Sequence, residues 1–305
     1  MRLVSYGAFG AERAGILTDG GIVDVAQAMA DTGSGNPVTD MRLFLEQPGW
    51  RSLVDRLARE ARGPRIDPAG VRLGAPVPMP RKLMIAGANT YTHVAEAGAV
   101  LGKVAAPREP MILAKATSCI AGPNDDLIYP PETRKLDYEV ELGVVIGRTC
   151  RRIKAAQVKD YVAGFVATNE VSARDLQLAE HEENPFFRTH FIGKSYDTFC
   201  PMGPALVTPD EFEWGRPFTL TTTVNGEVRQ RGDTADLVHG IEALVEYCAR
   251  AMTLFPGDVI CTGSPAGVAF FMKPQAFLKP GDRVRCEVGG IGAVDNLVRE
   301  EVLAA

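Results

Sequence analysis

Residues 136–147 read LDYEVELGVVIG. Asp137, Glu139 and Glu141 alternate with Tyr138, Val140 and Leu142. In a strand, alternate side chains share a face and lie about 6.6–6.8 Å apart. Glu139 and Glu141 therefore point the same way, while the opposite face suits a core. A solvated edge strand would show the same alternation as far as Glu141. The following LGVVIG is apolar on both faces and reads as a strand entering the interior. Carboxylates carried in with it repel one another and are costly to bury unless a cation offsets them. This stretch predicts a β-rich fold built around an acidic site.

The rest of the chain repeats the strand pattern. KLMIAG, PMILAK, FVATNE, FTLTTTVNG, DVICTG and DRVRCEV are further strand candidates. Asn225-Gly226 is a hairpin signal, and Pro256-Gly257-Asp258 and Pro280-Gly281-Asp282 are further turns. One helix is expected within DLVHGIEALVEYCARAMT (236–253), where Leu237, Ile241, Leu244, Val245, Cys248 and Met252 share a face. Few helices alternate with strands, so the expectation is mainly β with some α, a roll or sandwich and not a doubly wound sheet. Ahead of it, RLVSYG and AGILTDGGIVDV read as strands around an Asp19-Gly20-Gly21 turn, and 41–62 as helical with one Pro-Gly break. Five prolines between 64 and 80 read as a linker. The expected division is a small N-terminal α+β domain, 1–75, and a catalytic domain, 76–305. The first part offers no reactive cluster and is expected to serve packing or dimerisation.

The 305 residues are 46% hydrophobic, enough for a large core, with a net charge of -5. That balance argues against nucleic acid as a main partner, because phosphate binding needs a basic face. It leaves room for small anionic substrates. The six cysteines, Cys119, Cys150, Cys200, Cys248, Cys261 and Cys286, form neither a CxxC nor a Cys/His cluster. Scattered cysteines fit a reducing compartment. MRLVSYGAFGAERAG lacks an apolar signal core, and no apolar run approaches the roughly 20 residues of a membrane helix. The expectation is a cytoplasmic protein with no membrane partner.

Glu170, at the end of FVATNE, is the candidate third carboxylate beside Glu139 and Glu141. Three carboxylates without His or Cys make a hard oxygen set that suits Mg²⁺ or Mn²⁺ and not zinc. Such an ion polarises a bidentate oxygen ligand, for instance an α-keto acid or enolate.

Seven blocks, in order between about 80 and 300, resemble the fumarylacetoacetate hydrolase family. They are GANTYTHVAEAG (87–98), EPMILAKATSCIAGP (109–123), LDYEVELGVVIGR (136–148), YVAGFVATNEVSARDLQ (161–177), GKSYDTFCPMGPALVT (193–208), TTTVNGEVRQRGDTADLV (221–238) and MTLFPGDVICTGSPAGV (252–268). The resemblance implies a twisted β-roll catalytic domain, usually dimeric, with a divalent metal on three carboxylates. It implies reactions of 2-oxo acids and 1,3-diketones. Carried over by position, the ligands are Glu139, Glu141 and Glu170. At the third, the family usually has N-D-V-S-A-R-D and this chain has Asn169-Glu170-Val171-Ser172-Ala173-Arg174-Asp175. The extra methylene shifts the ion, demands a backbone adjustment or re-aims the open face.

The family's general-base pair falls on His93 and Glu96. Residues three apart on a helix share a face, so Glu96 can orient His93 and leave its other nitrogen to take a proton. The plain alternative is a surface or capping histidine. Lys194 matches the lysine that holds a substrate carboxylate or carbonyl. Arg174 and Gln177 match polar residues that meet the substrate's acid end. For Arg174, a salt bridge to Asp175 or Asp137 is the rival reading. Thr262 and Gly263 would bring a hydroxyl and amides to the pocket, and Gly263 lets the chain come close. Phe186, Phe187 and Phe191 either line an apolar pocket wall or belong to the core.

The leading expectation is a metal-dependent hydrolase that cleaves a C–C bond in an acylpyruvate-like or diketo sugar acid. Water deprotonated by His93–Glu96 attacks the distal carbonyl, and the metal holds the departing enolate. Oxaloacetate-type decarboxylation and 2-hydroxymuconate-type isomerisation or hydration are alternatives on the same site. A non-catalytic ligand-binding protein and a structural Ca²⁺ site are lesser ones. The expected partners are a small anionic 2-oxo acid and a second copy in a homodimer.

Overall fold

LDYEVELGVVIG folds as two short strands, Leu136–Asp137 and Val140–Ile146, and every residue from 136 to 146 is buried. The second is central: it pairs antiparallel with Val162–Asn169 on one side and with Val259–Cys261 on the other. Both of its edges and both of its faces are covered, which is why the apolar pattern has no polar phase after Glu141. The computed structural model describes residues 1–102, 104–179 and 190–302.

This strand sits within one long sheet. In spatial order the sheet runs Gly21–Asp24, Arg13–Thr18, Arg2–Tyr6, Cys200–Val207, Val162–Asn169, Val140–Ile146, Val259–Cys261, Leu83–Gly87 and Met111–Lys115. A second sheet runs Glu227–Asp233, Thr219–Val224, Arg283–Val288, Gly292–Glu300 and Leu127–Tyr129. The sheets pack face to face. Arg283–Val288 lies against Val140–Ile146 and Val162–Asn169, and Gly292–Glu300 against Val162–Asn169 and Cys200–Val207. Leu142, Val166, Val284 and Val294 belong to the buried cluster between them. The mainly β architecture expected from the strand-rich pattern is what the chain adopts.

Local chemistry accounts for the ends of these elements. Asn225 and Gly226 both take positive φ, 52° and 83°, which is the conformation a tight two-residue hairpin needs. Pro48-Gly49 separates the helices Met41–Leu45 and Trp50–Glu60. The helix expected over 236–253 is shorter, Ile241–Ala251. Residues 237–239 are drawn off into contacts with the loop at Asn89: Val238 N–H donates to Asn89 O, and His239 N–H to Asn89 Oδ1. Gly240 then caps the helix that follows.

Residues 1–75 form strands and helices whose sheet is continuous with the rest, since Arg2 pairs with Val207 and Leu3 with Leu206. Their apolar residues, Leu3, Ile16 and Phe44 among them, belong to the same buried cluster as Leu142. The proline-rich 64–80 stretch is stitched down as well, by Leu73–Gly74 pairing with Tyr6 and Ser5. No helix among the described residues is long and apolar enough to cross a membrane.

Candidate metal centre and active site

The strand Val140–Ile146 and the end of Val162–Asn169 bring three carboxylates together. One oxygen from each of Glu139, Glu141 and Glu170 lies within 4.8 Å of the others, and all three residues are buried. Glu170 reaches this position because its own N–H donates to Glu139 O at 2.8 Å, which ties the chain after one strand to the chain before its neighbour.

Each carboxylate has a separate outer support. Arg174 Nη2 donates to Glu139 Oε1 at 2.7 Å. Gly263 N–H donates to Glu141 Oε2 at 2.8 Å. Lys115 Nζ donates to Glu170 Oε1 at 2.7 Å. The inner oxygens, Glu139 Oε2 and Glu170 Oε2, both accept from Lys194 Nζ, which also donates to Ser172 Oγ at 2.7 Å. A cationic head thus already lies between the inward oxygens of two members.

Asp137, the first acid of the alternation, stays out of this group. It accepts from Arg174 Nε at 2.8 Å and from the N–H groups of Ala269 and Phe270 at 2.8 and 3.1 Å. It anchors Arg174 from behind, as the salt-bridge reading anticipated. Arg174 Nη1 donates to Gln177 Oε1 at 3.1 Å, so each guanidinium nitrogen already serves a protein acceptor.

The electrostatics follow from these supports. Burial pushes the Glu139 carboxyl upward, but Arg174 and Lys194 outweigh it and hold the group well below its ordinary range. Glu141 has no ion-pair partner among the described residues. Burial, then the charges of Glu170 and Glu139, push it well above the ordinary value. Glu170 is raised by burial, opposed by Lys115 and Lys194, and ends at about 7. Three buried acids with all-oxygen donors, one of them held only by a backbone amide among the described residues, fit a hard divalent cation.

The triad opens into a cavity of about 260 Å³ lined also by His93, Lys194, Arg174, Gln177, His190, Phe270 and Phe271. A larger cleft, about 650 Å³ around Trp50 and Arg148, shares no residue with it, so volume alone does not mark the site. His93 and Glu96 lie on the helix Tyr91–Leu101, capped by Thr90, whose hydroxyl accepts from His93 N–H. His93 Nδ1 is 2.7 Å from Glu96 Oε1, and Glu96 Oε2 accepts from Gly267 N–H at 2.9 Å. With Nδ1 committed to the carboxylate, Nε2 is the nitrogen left for proton transfer. The ring packs against Phe271, centroids 5.6 Å apart.

Two expected substrate contacts come out differently. Thr262 and Gly263 do not line the cavity: the Gly263 amide is taken by Glu141, and Thr262 Oγ1 is buried without a protein partner among the described residues. Gly263 has φ +108°, and a Cβ there would lie 3.0 Å from Asn89 Cβ, so the glycine permits this close turn beneath Glu141. Phe191 is exposed, and Phe186 and Phe187 lie outside the described residues. Lys115 and His190 were not singled out from sequence. Gln177 Nε2 lies 3.0 Å from His190 Nδ1, extending the polar line from Asp137 through Arg174 toward the cavity.

Residues 82–299 match the model of the fumarylacetoacetate (FAA) hydrolase C-terminal family. The oxaloacetate tautomerase Fahd2a, mitochondrial, of Rattus norvegicus is 38% identical over 300 residues, spanning 98% of this chain and 91% of that protein. Among solved structures, 5-carboxymethyl-2-hydroxymuconate delta-isomerase from Mycobacterium smegmatis superposes with a TM-score of 0.73 at 31% identity, covering 99% of this chain and 100% of that one. Maleylpyruvate hydrolase from Sphingobium sp. SYK-6, in complex with manganese(II) and pyruvate, gives 0.75 at 28% identity, with the same coverage. The domain match, the near-complete alignment to a relative and the shared fold lead to one conclusion: this chain belongs to the fumarylacetoacetate hydrolase family of enzymes.

Proposed function

We propose that this protein is a divalent-metal-dependent enzyme that moves a proton at the carbon next to the keto group of a small 2-oxo dicarboxylic acid, interconverting keto and enol forms of an oxaloacetate-type substrate. The observation that carries this reading is His93, held by Glu96 behind it, lining the same small cavity as the carboxylate triad and Lys194. The rat relative, an oxaloacetate tautomerase aligned along nearly the whole chain, supports the reaction type.

Glu139, Glu141 and Glu170 would hold the ion, Mg²⁺ or Mn²⁺. When bound, it supplies Lewis-acid polarisation of the substrate's carboxylate and keto oxygens. Lys194 presents an ammonium to the same oxygens and orients the acid end. His93 Nε2 removes the C3 proton, and the electrons of that C–H bond form the C2–C3 double bond. The keto oxygen takes up one proton, so the product is an isomer. Glu96 holds the ring and stabilises the imidazolium through Nδ1. Phe270 and Phe271 close one wall and limit water.

Hydrolysis of a C–C bond in an acylpyruvate-type acid is the second reading. The same dyad can deprotonate water, and the manganese complex of maleylpyruvate hydrolase is a structural neighbour. The dyad serves either chemistry, so its presence alone does not decide between them. Decarboxylation and isomerisation of longer 2-oxo acids remain variants of this proposal, as does a homodimer. A reducing, cytoplasmic-type setting rests on six unpaired, buried cysteines. The rat relative bears the word mitochondrial in its name.

The test is to add purified protein with Mg²⁺ or Mn²⁺ to oxaloacetate, to acylpyruvates and to 2-hydroxymuconate-type acids, following enol absorbance and products by NMR. Faster loss of the enol with no new carbon skeleton is expected, and His93→Ala should lower it by about 10²–10⁴-fold. A wild-type rate on oxaloacetate no faster than buffer, with cleavage of acylpyruvates, would replace the first reading by the second.

A further inference from the structure

Lys115 closes the edge strand Met111–Lys115, where a lysine ordinarily reaches solvent. Here its side chain is fully buried. Its ammonium donates to Glu170 Oε1 at 2.7 Å, Val171 O at 3.0 Å and Phe199 O at 2.7 Å. An ammonium has three donors, so all are used by the protein. Lys115 is also absent from the cavity lining. It therefore has no position from which to meet substrate, and it acts on the site through Glu170.

The two carbonyls make the tether rigid. Val171 N–H itself donates to Phe199 O at 3.0 Å, so Lys115 is pinned on a closed piece of backbone that includes the neighbour of Glu170. One carboxylate oxygen, Oε1, is held outward on this anchor. The other, Oε2, faces Lys194 among the inward oxygens. Without the tether, a glutamate's last torsion is broad and nearly two-fold, and either oxygen or both could turn inward. Arg174 treats Glu139 in the same way, engaging Oε1 and leaving Oε2 toward Lys194.

We propose that Lys115 is a positioning residue that makes Glu170 a single-oxygen ligand, and that its reach and the glutamate's length at position 170 are a matched pair. This rests on the reading that the triad holds a divalent cation. An aspartate at 170 is one methylene shorter and has less length with which to meet Lys115 on one side and the inward oxygens on the other, so the two residues should be energetically coupled.

The experiment is Mn²⁺ titration followed by EPR of free ion, on wild type, Lys115→Met, Glu170→Asp and the double variant, with melting temperatures of the metal-free proteins read alongside. Outer-sphere partners of metal ligands are commonly worth about 10–100-fold in affinity, and K115M should weaken Mn²⁺ by that much. On the Glu170→Asp background the same change should cost less than about threefold, because coupled neighbours are not additive. If K115M does not fold, Lys115→Arg, which keeps the charge but not its point geometry, carries the same comparison. Unchanged or tighter Mn²⁺ binding by K115M overturns the inference. So does an equal loss on both backgrounds, which would place the action of Lys115 elsewhere. Wild type without saturable Mn²⁺ binding would defeat the metal reading itself, and this inference with it.

Discussion

Removing Arg174 should destabilise the protein more than any surface substitution. The guanidinium is buried and bridges Asp137 at 2.8 Å and Glu139 at 2.7 Å. Arg174→Met keeps much of the volume and deletes the charge. Asp137 would retain backbone donors from Tyr138, Ala269 and Phe270, so its loss is partly covered. Glu139 would keep Lys194 but lose the partner of Oε1. Deleting one partner of a buried ion pair costs about 3–5 kcal/mol, because the remaining charge stays buried. One kcal/mol shifts the melting temperature by roughly 2–4 °C in domains of somewhat smaller size, so a drop of roughly 5–15 °C is expected. Differential scanning calorimetry on metal-free protein measures it. Adding Asp137→Asn should recover part of the loss, about 0.5–3 kcal/mol relative to additivity, since one uncompensated charge is removed. A melting temperature for R174M within 2 °C of wild type would refute the reasoning, for it would mean that neither carboxylate depends on the guanidinium.

Metal affinity should depend on pH in one direction. Glu170 lies at about 7, raised by burial against Lys115 and Lys194, and Glu141 is raised by burial and its acidic neighbours. Ligation requires the carboxylates, so Mn²⁺ binding should weaken on going from pH 8 to pH 6 and release protons, which isothermal titration in two buffers of different ionisation enthalpy detects. Affinity that is flat across that range would contradict it. For the metal-free protein the sign is opposite: a carboxylate raised in the folded state stabilises most below its unfolded pKa of about 4.3. That contribution is lost as pH rises toward about 7. Far from the site, Asp24 caps the helix Val25–Thr32, pairs with Arg13 and accepts from Tyr6 Oη. Burial raises its carboxyl, but the bonds from Arg13 and Tyr6 bring it below the ordinary value. Asp24→Ala should cost about 1–2 kcal/mol with kcat unchanged, and the wild-type contribution should fade as pH falls through the acid range. Gly263→Ala forces a Cβ to 3.0 Å from Asn89 at φ +108° and should lower Mn²⁺ affinity by displacing the amide that holds Glu141; unchanged affinity would argue that this amide is dispensable.

Much of the architecture was readable because burial leaves a pattern. A strand apolar on both faces after Glu141 had to be central, and Asn225-Gly226 had to be a hairpin. Glu139 and Glu141 were readable as a pair because a strand repeats every two residues, and His93 with Glu96 because a helix brings residues three apart onto one face. The N-terminal pairing of Arg2 with Val207 was not, since no local signal spans 205 positions. The end of the 236–253 helix was lost for a similar reason: the pull of Asn89 on residues 237–239 is tertiary. Lys115 carries no signal in sequence because a lysine at a strand end looks solvated, and only the carbonyls of Val171 and Phe199 show otherwise. In sequence Gly263 reads as a substrate contact because a glycine's amide is visible there but its acceptor, Glu141 Oε2, is not.

The convergence of Glu139, Glu141 and Glu170 on one ion is tested most directly by anomalous diffraction from a crystal soaked in Mn²⁺. The account predicts a single strong peak per chain, within bonding distance of one oxygen from each of the three carboxylates, and its disappearance in Glu141→Ala. A peak elsewhere, or none beside these oxygens at saturating manganese, would contradict it.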